Sequence, residues 1–201
     1  MNLIIQKINS LNDKVITKKQ LENIIKLFSP NSVQKKLENL RKVRKIKYYF
    51  LNYYYILNEE ERKTKKLKYT TEEIVAAILN KSKIPWYFAF NTALERNNVI
   101  WQSYKTITIL NDRISKKIIL DKIQFHFIKT QKKYIFSFRV VKTKNRISTF
   151  YPTNEKIFID YIYFRKNPPL ELKNSIKKTP IKKILIQYPQ LIQKKIENEL
   201  K

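Results

Sequence analysis

None of the 201 residues is glycine, and that absence limits both how this chain can turn and what chemistry it can carry. Glycine enters left-handed backbone without steric cost, so in its absence tight turns fall to Asn, Asp and Pro. Asn52, Asn98, Asn111 and Asn145 stand between apolar runs, where turns are expected. A glycine-free chain has no P-loop, no dinucleotide fingerprint and no nucleophile elbow. Each of those needs Gly where backbone approaches a phosphate or bends sharply.

The charge points to a partner. Lys and Arg number 43 against 16 Asp and Glu, a formal net charge of +27. Self-repulsion of that size works against a compact state, and a polyanion offsets it. Nucleic acid is the commonest such partner, ahead of a membrane surface or an acidic protein. Part of the lysine excess reflects codon usage. Lys, Ile, Asn, Tyr and Phe have A/T-rich codons, Gly does not, and the surplus lysines fall on solvated faces.

Hydrophobic residues make up 43% of the chain, enough for a core in one medium domain or two small ones. No cysteine is present, so neither disulfides nor thiolate metal sites are expected. Apolar runs fall short of the roughly 20 residues of a membrane span. The start, MNLIIQKINS, lacks the organisation of a secretory signal. A cytoplasmic, nucleoid-associated protein is expected.

The densest signal lies between Ile16 and Leu57. Thr17 is placed to cap a helix over Lys18–Phe28, a turn follows at Ser29–Ser32, and a second helix spans Val33–Val43. Val33, Leu37, Leu40 and Arg44 fall near one face of that second helix. Two aromatic strands, Ile46–Leu51 and Tyr53–Leu57, then meet around Asn52. Seven of the thirteen residues from Lys35 to Lys47 are Lys or Arg, against one acid, Glu38. With a first helix over Met1–Asn9, this reads as a winged helix-turn-helix with a basic recognition helix. Its DNA-facing residues are Ser32, Gln34, Lys35, Lys36, Asn39, Arg41 and Lys42, with Arg44, Lys45 and Lys47 at the helix exit and wing base. Gln and Asn pair with adenine and Arg with guanine, while the lysines contact phosphate. The competing reading is a helical hairpin with a solvated charged face. Period-2 alternation in the aromatic run leaves at least two of its rings partly exposed.

Residues 59–69 are charged, lack apolar periodicity, and read as a linker. A mixed domain over 70–201 follows. Thr70 and Glu73 suit a capping box before a helix at Thr71–Asn80. A second helix is expected at Trp86–Arg96, and an extended segment at Val99–Leu110. A short strand falls at Ile118–Leu120. Ile123–Lys129 and Tyr134–Lys142 read as a hairpin, with a strand at Ile147–Tyr151. Thr153 caps a helix over Asn154–Arg165. Basic amphipathic helices follow near Leu170–Lys178, Ile181–Tyr188 and Leu191–Leu200. The fold class is therefore α+β, an N-terminal winged helix (1–58) before a domain with an antiparallel sheet flanked by helices. Trp86 and Trp101 read as core anchors. His126 stands alone, and Asp121, Glu155 and Asp160 contain no close acidic pair, so no enzymatic activity, cofactor or metal is expected.

The order of segments resembles the AbiEi-type antitoxin and transcriptional regulator family of type IV toxin–antitoxin systems. KLENLRKVRKIKYYFLNYYYIL is similar to that family's helix and wing. IVAAILNKSKIPWYFAFNTALERNNVIW is similar to its linked helices, with the small-residue step at Ala93-Leu94. FYPTNEKIFIDYIYF matches its late helix at Glu155, Lys156 and Asp160. The resemblance implies an N-terminal winged helix and a C-terminal α/β domain. It also implies repression of the protein's own promoter through inverted repeats, and opposition to a nucleotidyltransferase-like toxin. Expected partners are double-stranded DNA, bound as monomer or homodimer, and a cognate toxin. Two alternatives stay open. One is an interaction module that neutralises such a toxin with DNA binding secondary; the other is a non-specific nucleoid protein.

Overall fold

The computed structural model describes residues 2–102 and 104–200; Met1, Ser103 and Lys201 lie outside the described residues. The fold is α+β. The chain divides into two compact units, 1–78 and 79–201. The division falls inside a helix rather than in the charged stretch 59–69.

The first unit runs α1 (Asn2–Asn9), β1 (Val15–Thr17), α2 (Lys18–Phe28), a 3-10 turn at Pro30–Ser32, α3 (Val33–Lys42), β2 (Ile46–Tyr48) and β3 (Tyr53–Ile56). Next come α4 (Glu59–Thr64) and the start of α5 (Thr71–Lys81). The strands form an antiparallel sheet in the order β1-β3-β2, with Val15 opposite Tyr55 and Tyr48 opposite Tyr54. Thr17 caps α2 reciprocally. Its hydroxyl accepts from the Gln20 N–H at 3.1 Å, and its own N–H donates to Gln20 Oε1 at 2.9 Å. Ile4, Ile8, Leu21, Ile25, Leu37, Leu40 and Ile46 close the core between helices and sheet. Each such side chain contributes about 1.5–3 kcal/mol on burial.

Three expectations change here. Of the aromatic run only Tyr48 is exposed, at 46%; Tyr49, Phe50, Tyr53, Tyr54 and Tyr55 are all buried. A strand with one wet face should show more. The second face of β3 is covered, because Tyr55 packs on Tyr69 and donates its hydroxyl to Glu61. The segment read as a linker supplies that cover. Asn58 and Glu61 form a capping box that starts α4, and Glu61 is 3% exposed. Arg44 does not share the apolar face of α3. It lies beyond the helix end, exposed, at φ 52°.

The second unit begins at Leu79 within α5. It continues with β4 (Trp86–Phe88), α6 (Phe90–Arg96), β5 (Thr106–Asn111), β6 (Lys116–Leu120), β7 (Ile123–Lys129), β8 (Phe138–Lys142) and β9 (Ser148–Pro152). Four helices complete it: α7 (Asn154–Tyr163), α8 (Leu170–Ser175), α9 (Lys178–Leu185) and α10 (Gln190–Glu199). Thr153 caps α7 through the Lys156 N–H, as its position predicts. Lys156 to Ile162 of α7 are all buried, so this is a central helix, with α6, α8, α9 and α10 packed on it.

The main sheet, β4-β5-β7-β6, is mixed rather than antiparallel: β5 and β7 are parallel, with Ile107 beside Phe125. Ile123–Lys129 therefore has no hairpin partner in Tyr134–Lys142. It pairs with β6 on one edge and β5 on the other, while β8 pairs with β9. The hairpin that does form turns on Asp121-Lys122, both at positive φ, a two-residue loop whose twist matches its strands. Trp86–Phe88 is strand rather than helix. Its aromatic side chains suit a sheet, and Phe90 at φ 50° breaks any continuous helix to Arg96. Trp86 is a core anchor at 2% exposure, but Trp101 is 97% exposed.

Twelve of the described residues, among them Asn52, Asn98 and Lys122, hold positive φ. Asn adopts this conformation at small cost, whereas for Lys it costs about 1–2 kcal/mol. Lys122→Gly raises stability by about 0.5–1 kcal/mol, the relief of left-handed strain less the added freedom of the unfolded chain. Asn52→Gly gains less. Urea unfolding of the two variants checks both values; equal shifts would remove the strain argument.

Candidate nucleic-acid interface

Helix α3 buries Leu37 and Leu40 and leaves a basic outer side. Lys35, Arg41 and Lys42 are exposed on it, and Ser32, Lys36 and Asn39 are half-buried along its flanks. Gln34 is exposed and donates to Glu22 Oε1 of α2 at 3.2 Å. Glu38, the one acid of the stretch, pairs with Lys42 at 3.1 Å. Four cations of α3 against that single acid leave the helix positive, and Arg44, Lys45 and Lys47 follow it.

Past the helix, the Val43 N–H bonds to the Asn39 carbonyl and the Lys45 N–H to Leu40. Arg44 sits in the turn so formed. Lys45 and Lys47 then flank Ile46, whose side chain enters the core. Burial first, and the Arg62 guanidinium second, hold the Lys45 ammonium below the ordinary lysine value, against the pull of Glu59. Burial and the Arg44 guanidinium do the same to Lys47. These cations repel one another, which is the condition a bound polyanion relieves. Lys47 also lies over the Tyr49 ring at 5.4 Å.

The β2–β3 hairpin carries no cation between Tyr48 and Ile56. Its tip is Leu51-Asn52, both at positive φ and both exposed. The Asn52 carbonyl accepts from the Lys18 N–H at 2.6 Å, fixing the tip against the start of α2. The ten sequence-predicted site residues thus lie on one continuous segment, α3 and the base of the hairpin. Arg44 is carried there by the turn rather than by the helix.

Among the described residues no group of three or more His, Asp or Glu is arranged to hold a metal. Asp121 lies in the β6–β7 turn, and Glu155 accepts from the Lys177 N–H at 3.3 Å. Asp160 is neither solvated nor a cap. It is 2% exposed, accepts from Tyr87 Oη at 2.7 Å and Tyr188 Oη at 3.3 Å, and is paired with Lys156 Nζ. Burial pushes the Asp160 carboxyl up and the Lys156 ammonium down, and their mutual contact opposes both shifts. Sequence reasoning missed this pair as a structural unit. The i, i+4 spacing on a helix apolar all round was its visible signal. No helix among the described residues is long and apolar enough to cross a membrane. No protein-family model and no curated protein matches the chain.

Proposed function

We propose that residues 1–58 form a winged helix-turn-helix and that the protein is a non-enzymatic regulator binding duplex DNA, an antitoxin-like autorepressor. One observation carries this reading. A ten-residue helix with one buried apolar face and an exposed basic face leads straight into an antiparallel hairpin paired to β1. That helix is about 15 Å long, a length suited to one passage of the major groove. Arg41, Asn39 and Gln34 face base edges; Lys35, Lys36 and Lys42 contact phosphate. Arg44, Lys45 and Lys47 grip the flanking backbone, since the hairpin tip offers no cation.

The test compares the full chain on its own upstream DNA and on scrambled DNA. A hundredfold preference, roughly 3 kcal/mol, is expected of a specific regulator. Replacing Lys35, Lys36 and Arg41 with Ala weakens binding at least tenfold and lowers the slope of log affinity against log salt by about two to three. Unchanged binding and slope would remove α3 as the reading helix.

A second reading treats residues 79–201 as a module for a protein partner such as a cognate toxin. Exposed Trp101, Ile119 and Ile186, at 97, 74 and 78%, favour it. Co-expression with the product of the adjacent gene tests it, a stable complex supporting the module and separate elution opposing it.

A further inference from the structure

In the second unit, β5 and β7 place Thr106, Thr108, His126 and Ile128 on one face of the sheet, since alternate residues share a face. The opposite face, with Ile107, Ile109, Phe125 and Phe127, is buried. On the polar face, helices cover the sheet only in part. Leu110 and Ile128 pack against the α6–α7 layer, whereas Thr106, Thr108 and His126 stay half-buried, Thr108 meeting α6 through its N–H, which donates to Thr92 Oγ1 at 2.9 Å. The gap is a cleft of about 420 Å³, within the range of small-molecule sites, about 300–1,000 Å³.

Its walls have a distinct chemistry. Lys105 enters from the segment before β5 and Lys166 from the segment after α7. Lys117 lies beside His126 on the neighbouring strand β6. Among the described residues not one acid lines the cleft. Three rings, Phe90, Tyr104 and Tyr161, form its apolar side. Phe90 and Tyr161 meet edge to face at 5.0 Å, and Lys166 Nζ lies 5.0 Å from the Phe90 ring centre. Phe90 is held at φ 50°, a conformation a bulky residue adopts only when its surroundings impose it, and one associated with ligand sites. Tyr161 is anchored by its hydroxyl, which donates to Asn91 Oδ1.

We propose that this cleft binds a small phosphorylated ligand with a flat aromatic part, a mononucleotide in chemical class. Lys105, Lys166 and His126 hold the phosphate, Thr108 offers a hydroxyl beside it while Thr106 donates its own to Gln124 Oε1 at 3.2 Å, and the Phe90–Tyr161–Tyr104 side takes the base. The cleft is built from residues 90–169 alone, so the proposal is independent of DNA binding by α3.

The experiment is titration calorimetry of the full chain with AMP, adenosine and inorganic phosphate in turn. Because a chain of this charge attracts any anion, the decisive comparison is between variants. Lys105→Met/Lys166→Met is expected to weaken AMP binding at least tenfold, as loss of charge-assisted contacts does. Lys183→Met/Lys194→Met, with the same charge change at exposed residues that do not line the cleft, leaves AMP binding as it was. Thr108→Val, which keeps size and charge, weakens AMP binding without altering the melting temperature. The Lys35/Lys36/Arg41 triple-alanine variant keeps AMP binding whatever happens to its DNA binding. Absence of AMP binding at millimolar concentration would overturn the site. So would equal losses in the two double-lysine variants. Binding of phosphate as tightly as AMP would overturn the aromatic half of the proposal.

Discussion

Asp160→Ala lowers the stability of the 79–201 unit by about 3–5 kcal/mol, the usual cost of leaving a buried charge without its partner. Lys156 is fully buried and has Asp160 as its counter-ion, and Tyr87 and Tyr188 lose the carboxylate their hydroxyls point toward. The Lys156 ammonium keeps only the Tyr87 hydroxyl, 2.7 Å away, and the faces of the Tyr87, Phe136 and Tyr188 rings. The network joins β4, α7 and the segment after α9, so the loss is felt across the helical layer. Lys156→Met alone is costly for the reciprocal reason. Lys156→Met with Asp160→Leu recovers most of the loss, because a buried ion pair exchanged for apolar groups of similar volume is often neutral or stabilising. Urea unfolding followed by the fluorescence of buried Trp86 measures all three. A double variant as unstable as the worse single one would show that the network stabilises by more than mutual charge compensation.

Glu61→Ala destabilises the 1–78 unit by about 3 kcal/mol, through the loss of one acceptor serving four donors. Lys14 Nζ and Tyr55 Oη each lie 2.5 Å from its carboxylate, and the N–H groups of Asn58 and Lys68 lie at 2.8 and 2.7 Å. The effect depends on pH with a definite sign. Burial works to raise the Glu61 carboxyl, but those donors outweigh it and hold it below the ordinary glutamate value. A carboxyl depressed in the folded state stabilises fully above its unfolded value, about 4.3, and loses that contribution as pH falls through the folded one. The parent protein therefore loses stability on acidification below about pH 4. Glu61→Gln is less stable at pH 7 and flatter across that acid window. Parallel pH profiles for the two would remove Glu61 from the account.

The sequence determined the elements whose signals are local. Thr17, Thr70 with Glu73 and Thr153 before α7 each marked a helix start, because a cap is satisfied within three residues of itself. Alternation marked β7 and, within the segment expected at Val99–Leu110, the strand β5 from Thr106 onward, and the segment over 18–56 emerged with its helices, its hairpin and its basic face in the expected order. The ten residues from Ser32 to Lys47 proposed to face DNA fall on one segment for the same reason, since they lie close together along the chain. Tertiary structure decided what depends on a distant partner. β7 carries β6 on one edge and β5 on the other, which leaves no edge for β8, and no local pattern encodes that choice of partners. Trp86 was buried and Trp101 exposed although the residue is the same. Glu61 and Asp160 looked like solvated acids until Lys14, Tyr55, Tyr87 and Tyr188 were brought onto them from elsewhere in the chain. The cleft around His126 is lined from β5, β7, α6, α7 and the segments beside them, which no local pattern brings together. Caps, turns and periodicity are settled by a residue's neighbours in sequence, whereas burial, strand pairing and cavities are settled by what the rest of the chain places against it.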